Sequence, residues 1–187
     1  EFKKALGAMS VDDAGYRMRA RYYAALCAAE RQQTGAREML ERFVEDYPNS
    51  IYLNDVHFDL GTILEKEGDY QRDYEHLLTV NPHELPYSRI GEYYYRTGHA
   101  AYQNGDEDKA YSYFQNCTTD PAYAPHATYY KAYIDYTRGD LDAAKSGFAS
   151  IAELPAYEPI IPFYLLQIEF RQGNYAYVVE HGVPLLN

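Results

Sequence analysis

The sequence predicts an all-α protein, an α-α superhelix of about five stacked helical hairpins, and three observations lead to this prediction. Five glycines interrupt apolar, helix-periodic stretches at nearly even intervals along the chain. An apolar stripe follows most of these glycines at offsets of five, nine and twelve residues, and a proline closes most units. Two helices per repeat and a period of about 34 residues are typical of solenoids in which each hairpin packs on its neighbours.

The glycines are predicted to be the corners at which the two helices of each hairpin meet. They are Gly35, Gly68, Gly105, Gly139 and Gly173. Glycine readily adopts the left-handed backbone conformation that ends many helices, and a following Asp or Asn can cap the next helix. Four of the five are followed directly by Asp or Asn. Each corner is therefore predicted to be a tight turn between antiparallel helices.

The residues around each corner predict how the two helices pack. In the fourth unit Ala144, Phe148 and Ile151 stand at the three offsets and share one helical face. Most units carry a small residue seven positions before the corner, which allows the helices to approach closely. These small residues are Ala28, Gly61, Gly98 and Ala132, and Leu166 takes their place in the last unit. The closing prolines, which cannot continue a helix, are Pro48, Pro82, Pro121 and Pro155.

The repeat sets the expected domain organisation. We expect residues 1–15 to be the tail of a preceding hairpin or an N-terminal cap, and residues 16–187 to form the array. The predicted units are 16–50, 51–86, 87–122, 123–157 and 158–187. Ser10 and Asp13 are spaced as a capping box for the helix that follows. Gly182 and Pro184 predict that the last helix is short or bent.

Two stretches carry a resemblance to a known family. Residues 57–61 read His-Phe-Asp-Leu-Gly and are followed by Gly-Asp-Tyr at 68–70, and residues 94–98 read Tyr-Tyr-Arg-Thr-Gly before Gly105 and Ala110. With these motifs the chain resembles the tetratricopeptide repeats over about residues 16–187. The resemblance implies a groove, lined by the first helix of each hairpin, in which a protein or peptide partner lies.

A shorter stretch has a narrower resemblance that bears on location. Residues 43–50, together with the turn at 68–70 and the 23 tyrosines, are similar to repeats of Gram-negative cell-envelope proteins. This similarity implies a periplasmic or outer-membrane-associated protein, with a cytoplasmic location as the alternative. The chain begins with Glu1 rather than Met, which leaves open a processed mature form or a piece of a longer protein.

Composition excludes several classes of partner. The chain has 28 acidic and 17 basic side chains and a formal net charge of −11. An acidic surface repels phosphate backbones and anionic headgroups, which argues against nucleic acid and membrane-surface binding. No run approaches the roughly 20 apolar residues of a membrane-spanning helix, so no direct membrane insertion is expected.

The groove positions implied by the family lie ten, six and three residues before each corner glycine. The third to fifth units carry mainly aromatic residues there. We predict that these form the partner-binding site: Tyr95, His99, Tyr102, Tyr129, Tyr133, Tyr136, Phe163 and Phe170. Tyrosine rings offer contact area at a low cost in rotamer entropy, which suits recognition. The alternative is that many of these rings pack between neighbouring hairpins.

No pattern predicts catalysis, a metal site or a cofactor. The six histidines are scattered, with no HExxH motif, and His57 points away from the face shared by Asp55 and Asp59. There is no GxSxG motif or glycine-rich phosphate loop. Cys27 and Cys117 lie on predicted packing stripes and are expected to be buried small apolar residues.

These observations favour a non-enzymatic scaffold that holds a partner protein segment in an aromatic concave groove. Two alternatives stay open: a glycan-binding envelope module, because tyrosine faces stack on sugar rings, and a regulatory repeat segment of a larger multidomain protein. Self-association is a further possibility for the partner, because exposed apolar groove surface can pair two copies.

Overall fold

A computed structural model describes residues 11–183, with side chains from residue 14 onward. Within this range the chain forms ten α-helices and one short 3-10 helix, and no strand. The helices are α1 (Val11–Glu30), α2 (Ala36–Asp46), α3 (Leu53–Glu67), α4 (Tyr70–Thr79), α5 (Tyr87–Gln103), α6 (Glu107–Asn116), α7 (Ala124–Arg138), α8 (Leu141–Ile151), α9 (Ile161–Arg171) and α10 (Tyr175–Gly182), with the 3-10 helix at Pro82–Glu84. The predicted fold class is confirmed. Ser10, most of the predicted N-terminal cap and Pro184 lie outside the described residues.

Each corner glycine has a left-handed backbone. The φ angles of the five glycines lie between 78° and 87°. At three corners the next residue caps the following helix: the Asp69, Asp106 and Asp140 carboxylates accept hydrogen bonds from the backbone N–H three residues on. Asn174 does not cap α10. Its amide instead donates to Glu169 Oε2 at 2.9 Å.

The chain divides into two compact units, Glu1–Leu85 and Pro86–Asn187. In the first unit, α1 to α3 enclose a core of Tyr22, Ala25, Leu40, Phe43, Val56 and Leu60. In the second unit, α7 to α9 and the loop before α9 enclose a core of Ala132, Ala144, Phe148, Ile151, Tyr157, Ile161 and Ile168. The apolar stripe predicted for the fourth hairpin is thus part of a buried core.

The small residues before the corners lie where two helices meet. Ala28, Gly61, Gly98 and Ala132 are buried. A Cβ atom added to Gly98 would lie 2.8 Å from the Phe114 ring of α6. The absence of a side chain at Gly98 therefore allows α5 and α6 to pack closely. Leu166, at the equivalent position of α9, is half-buried.

One packing prediction is wrong. Cys27 is exposed, whereas Cys117 is buried as expected. The buried residues of α1 are Tyr22, Ala25 and Ala28, a stripe with helical spacing from which position 27 points away. Separately, no helix among the described residues is long and apolar enough to cross a membrane.

Candidate functional site

The eight predicted partner-binding residues all lie on the first helices of the three hairpins in the second unit. Three are on α5, three on α7 and two on α9. The residues of α5 and α7 are half-buried, while Phe163 and Phe170 are 46% and 58% exposed. Every one of them keeps some accessible surface, and their neighbours determine how much.

The residues on α5 surround one ring of the next hairpin. Tyr95 stacks parallel to His99, and the ring centres of His99 and Tyr102 lie 5.4 and 5.2 Å from that of Tyr130 on α7. Tyr130 in turn stacks on Phe114 of α6, with centres 5.4 Å apart and planes 13° apart. We call Tyr95, His99, Tyr102 and Tyr130 the first aromatic seam.

The same arrangement recurs one repeat later. Tyr129, Tyr133 and Tyr136 of α7 meet Tyr164 of α9, with ring centres 6.3, 5.9 and 5.8 Å away and the rings nearly perpendicular. Tyr164 stacks on Phe148 of α8, with centres 4.8 Å apart and planes 13° apart. We call Tyr129, Tyr133, Tyr136 and Tyr164 the second aromatic seam.

Tyr130 and Tyr164 were not predicted as site residues, although the sequence contains a signal for them. Each stands nine residues before a corner glycine, so the two occupy the same position in successive repeats. Each stacks on the phenylalanine nine residues after the preceding corner, Phe114 or Phe148. Through Tyr130 and Tyr164, each hairpin packs a ring against the preceding hairpin. The predicted partner-binding residues of α5 and α7 therefore pack against the next hairpin and also keep part of their surface accessible to solvent.

On α9 the equivalent positions meet no further hairpin among the described residues. Phe163 and Phe170 are consequently exposed, as is Val179 on α10, at 71%. An open depression of about 340 Å³ lies beside them. It is lined by Tyr136, Leu166, Gln167, Phe170, Arg171 and Val178.

Tyrosine hydroxyls and a guanidinium group lie at the second aromatic seam. The Tyr136 hydroxyl donates to Gln167 Oε1 at 2.8 Å, and the Arg171 guanidinium lies 4.9 Å from the centre of the Tyr136 ring. Burial raises the pKa of Tyr164 to about 12, with the nearby Tyr129 hydroxyl contributing in the same direction. The Tyr164 phenol is therefore protonated at neutral pH and able to donate a hydrogen bond.

The candidates for chemistry have structural roles instead. Cys117 Sγ donates to the Gly91 carbonyl at 3.3 Å, and burial raises the pKa of this thiol to about 11, which leaves it protonated. His57 pairs with His76 of α4 rather than with Asp55 and Asp59, and the two Nδ1 atoms are 2.8 Å apart. No group of three or more His, Cys, Asp or Glu residues in the described part of the chain is placed to hold a metal ion.

The histidine pair predicts a pH dependence of stability. At 2.8 Å one Nδ1 donates to the other, so the pair requires at least one neutral ring. Burial lowers the pKa of both histidines. The charge of His76 lowers the pKa of His57 further. Arg72 lowers the pKa of His76 further, while Glu41 and Glu75 raise it. Below the unfolded pKa of about 6.5 the unfolded chain binds more protons than the folded one, so folded stability falls as the pH drops through that value.

We therefore expect the urea midpoint of the wild-type protein to fall more between pH 7.5 and 5.5 than that of His76→Gln, which removes one titrating ring. The midpoints are measured by circular dichroism at both pH values. His83→Gln, at an exposed position, serves as the control and is expected to behave like the wild type. Equal losses in the wild type and His76→Gln would contradict the role of the pair.

Comparisons with known proteins identify a tetratricopeptide repeat and structures with the same fold. Residues 19–50 match the family model described as tetratricopeptide repeat. Among solved structures the chain is similar to the MamA protein, at 15% identity over 89% of this chain and 90% of that one, with a TM-score of 0.72. It is also similar to PilF of Pseudomonas aeruginosa, at 14% identity over 90% of this chain and 74% of that one, with a TM-score of 0.66.

A third similar structure is that of YrrB, a TPR protein with an unusual peptide-binding site. The identity is 14% over 84% of this chain and 76% of that one, and the TM-score is 0.64. At such identities these likenesses concern the fold. No curated protein sequence matches the chain.

Proposed function

We propose that this chain, which matches the tetratricopeptide repeat model over residues 19–50 and has the fold of such proteins, is a non-enzymatic scaffold that binds an extended or helical segment of a partner protein. The site is the surface formed by the two aromatic seams and by Phe163 and Phe170 in the second unit. The family supports the general role, since one similar protein, YrrB, has a peptide-binding site. The details of the site rest on the geometry of these rings.

The observation that carries the proposal is the row of half-buried tyrosines on α7. Tyr129, Tyr133 and Tyr136 contact Tyr164 and keep part of their surface accessible. Because their rings are already ordered by packing, a partner would lose little side-chain entropy on contacting them. Phenolic hydroxyls at the surface add hydrogen-bond donors and acceptors.

The seams fit a polypeptide better than a sugar. A sugar stacks on an open ring face, whereas the three tyrosines of α7 are half-buried. One face of Tyr129 stacks on Tyr157, with centres 5.6 Å apart, and the Arg171 guanidinium lies over the Tyr136 ring. A peptide instead uses mixed edge and hydroxyl contacts along successive helices. We propose a cell-envelope location on the resemblance of residues 43–50, the turn at 68–70 and the tyrosine content, with the cytoplasm as the alternative.

The proposal predicts that Tyr133→Ala combined with Tyr136→Ala weakens peptide binding at least about 100-fold, as expected when two central aromatic contacts are lost. Peptides are first selected on the wild-type protein from a displayed library of short random sequences. Affinity for each variant is then measured by fluorescence anisotropy. The helical signal in circular dichroism is recorded for every variant, since the two rings also contact Tyr164.

The matched control removes two tyrosines elsewhere. Tyr16 and Tyr87 are 65% and 84% exposed, so Tyr16→Ala with Tyr87→Ala is expected to leave affinity unchanged. Unchanged affinity in the Tyr133 and Tyr136 double variant would contradict the proposed site. Saturable binding of oligosaccharides, lost in that same variant while no peptide is selected, would replace the proposal with the glycan-binding alternative.

A further inference from the structure

Two buried carboxylates occupy the same position in successive repeats of the second unit. Asp135 on α7 and Glu169 on α9 each stand four residues before a corner glycine. Their exposed fractions are 5% and 4%. A buried carboxylate is costly unless hydrogen bonds or a cation compensate its charge, so the partners of these two residues can be compared directly.

Glu169 is fully compensated by protein groups. Lys145 Nζ on α8 lies 2.5 Å from its Oε1, and Asn174 Nδ2 donates to its Oε2 at 2.9 Å. The hydrogen bond from Lys145, together with that from Asn174, lowers the pKa of this carboxyl. Each carboxylate oxygen of Glu169 thus has a nitrogen donor.

Asp135 lacks the same partners. The positions one repeat before Lys145 and Asn174 are occupied by Tyr111 and Asp140, neither of which is a cation. The cation that forms an ion pair with Asp135 is Lys131, whose Nζ is 4.0 Å from Oδ2 and also lies 5.1 Å from the centre of the Tyr111 ring. Asp135 Oδ2 is buried and accepts no hydrogen bond. Burial raises the pKa of this carboxyl, aided by Asp140, whereas a hydrogen bond from Tyr111 and the charges of Lys131 and Arg138 act in the opposite direction.

A cavity of about 480 Å³ lies directly against Asp135. We call it the α7 cavity, and its volume is within the range of roughly 300–1,000 Å³ common for small-ligand sites. It is lined by Phe114, Gln115, Cys117, Thr118, Thr128, Lys131, Ala132, Asp135 and Gly147. Thr128, Lys131 and Asp135 follow one stripe of α7, a different face from the one that carries Tyr129, Tyr133 and Tyr136. The cavity is therefore separate from the aromatic seams.

We propose that the α7 cavity binds an organic cation, a primary ammonium or guanidinium group, which donates hydrogen bonds to Asp135. The ligand would supply at Asp135 the nitrogen donor that Lys145 supplies at Glu169 one repeat later. The ligand can displace Lys131 because the Lys131 side chain is 36% exposed and its contact with Asp135 is long. The displaced ammonium group can still contact the Tyr111 ring. The net charge of −11 favours a cation over an anion, and Thr128, Gln115 and Thr118 can contact the polar remainder of the ligand.

The test compares n-butylguanidinium with n-butylurea, which has the same shape and no charge, by titration calorimetry on the full chain. We expect saturable binding of butylguanidinium and at least a ten-fold weaker signal for butylurea. Asp135→Asn is expected to reduce butylguanidinium affinity at least ten-fold, and Glu169→Gln, at the equivalent but compensated position, to leave it unchanged. Thr118→Trp, at an exposed position on the cavity wall, should block the cavity and abolish binding without changing the core.

Each outcome decides the proposal. Absence of saturable binding, equal binding of butylurea, or full affinity in Asp135→Asn or in Thr118→Trp would overturn it. Two sources of the cation are then separated with the capped peptide acetyl-Gly-Arg-Gly-amide. Tighter binding of this peptide than of butylguanidinium indicates an arginine side chain of a partner, and weaker binding indicates a free small molecule; both support a cation site.

Discussion

Replacement of Phe148 by alanine is expected to lower the free energy of unfolding by about 3–5 kcal/mol, the usual cost of deleting a fully buried ring. Phe148 is 0% exposed and lies in the core of the second unit. Its ring supports the parallel ring of Tyr164 at 4.8 Å and also contacts Tyr129 at 6.0 Å between centres. The substitution therefore leaves a cavity between α8 and α9 and removes the platform on which the second aromatic seam is built.

The loss is measured by urea unfolding followed by circular dichroism. Phe170→Ala is the matched control, because Phe170 is 58% exposed and its main ring contact is Tyr175 at 5.5 Å. We expect this control to lose no more than about 0.5–1 kcal/mol, as is usual for an exposed position. Similar losses in the two variants would show that Phe148 does not hold the α8 and α9 contact together.

The fold was predictable because its determinants recur at a fixed period. Each corner needs a residue with positive φ, which is cheap only for glycine, and the five glycines mark every corner of the described chain. The Asp after Gly68, Gly105 or Gly139 caps the next helix through a local hydrogen bond, so its role can be read from sequence. Asn174 differs because a buried carboxylate that is near in space, Glu169, takes its amide.

The rows on which the candidate site residues lie could be predicted from the sequence, but their contacts could not. Offsets from the corner identify the positions on α5, α7 and α9, because a helix keeps such residues on one face. They do not reveal that Tyr130 or Tyr164 of the next hairpin fills the space beside each row. Partial exposure of a ring depends on that neighbour, which belongs to the next repeat of the sequence.

The difference between Asp135 and Glu169 shows the same limit. Both are acidic residues at one repeat position, and composition alone assigns them one role. Only the identity of the residues across the hairpin, Lys145 in one case and Tyr111 in the other, separates a compensated carboxylate from one that faces a cavity. The burial of Cys27 was wrongly predicted because the buried stripe of α1 was placed incorrectly. In the structure this stripe consists of Tyr22, Ala25 and Ala28, and Cys27 is exposed.

Gly98→Val is expected to destabilise the second unit by about 2–3 kcal/mol through overpacking. A Cβ at this position lies 2.8 Å from two atoms of the Phe114 ring. That ring is 2% exposed and is stacked on Tyr130 at 5.4 Å, so it has little room to move away. Glycine is the weakest helix former except proline, and valine would otherwise be expected to improve α5 slightly. Loss of stability therefore isolates the steric cost.

Two controls make the steric argument testable by urea unfolding. Gly15→Ala, in α1 where an added Cβ meets nothing within 4 Å, is expected to raise the free energy of unfolding by up to about 1 kcal/mol. Phe114→Leu removes the ring that Gly98→Val would strike, so the double variant should lose less than the sum of the two single variants, with a coupling of about 0.5–3 kcal/mol typical of residues in contact. Strict additivity would mean that Gly98 and Phe114 do not limit how closely α5 and α6 approach. If Gly98→Val does displace Phe114, we also expect Tyr130 to move, because the Tyr130 ring stacks on Phe114. The first aromatic seam is arranged around Tyr130.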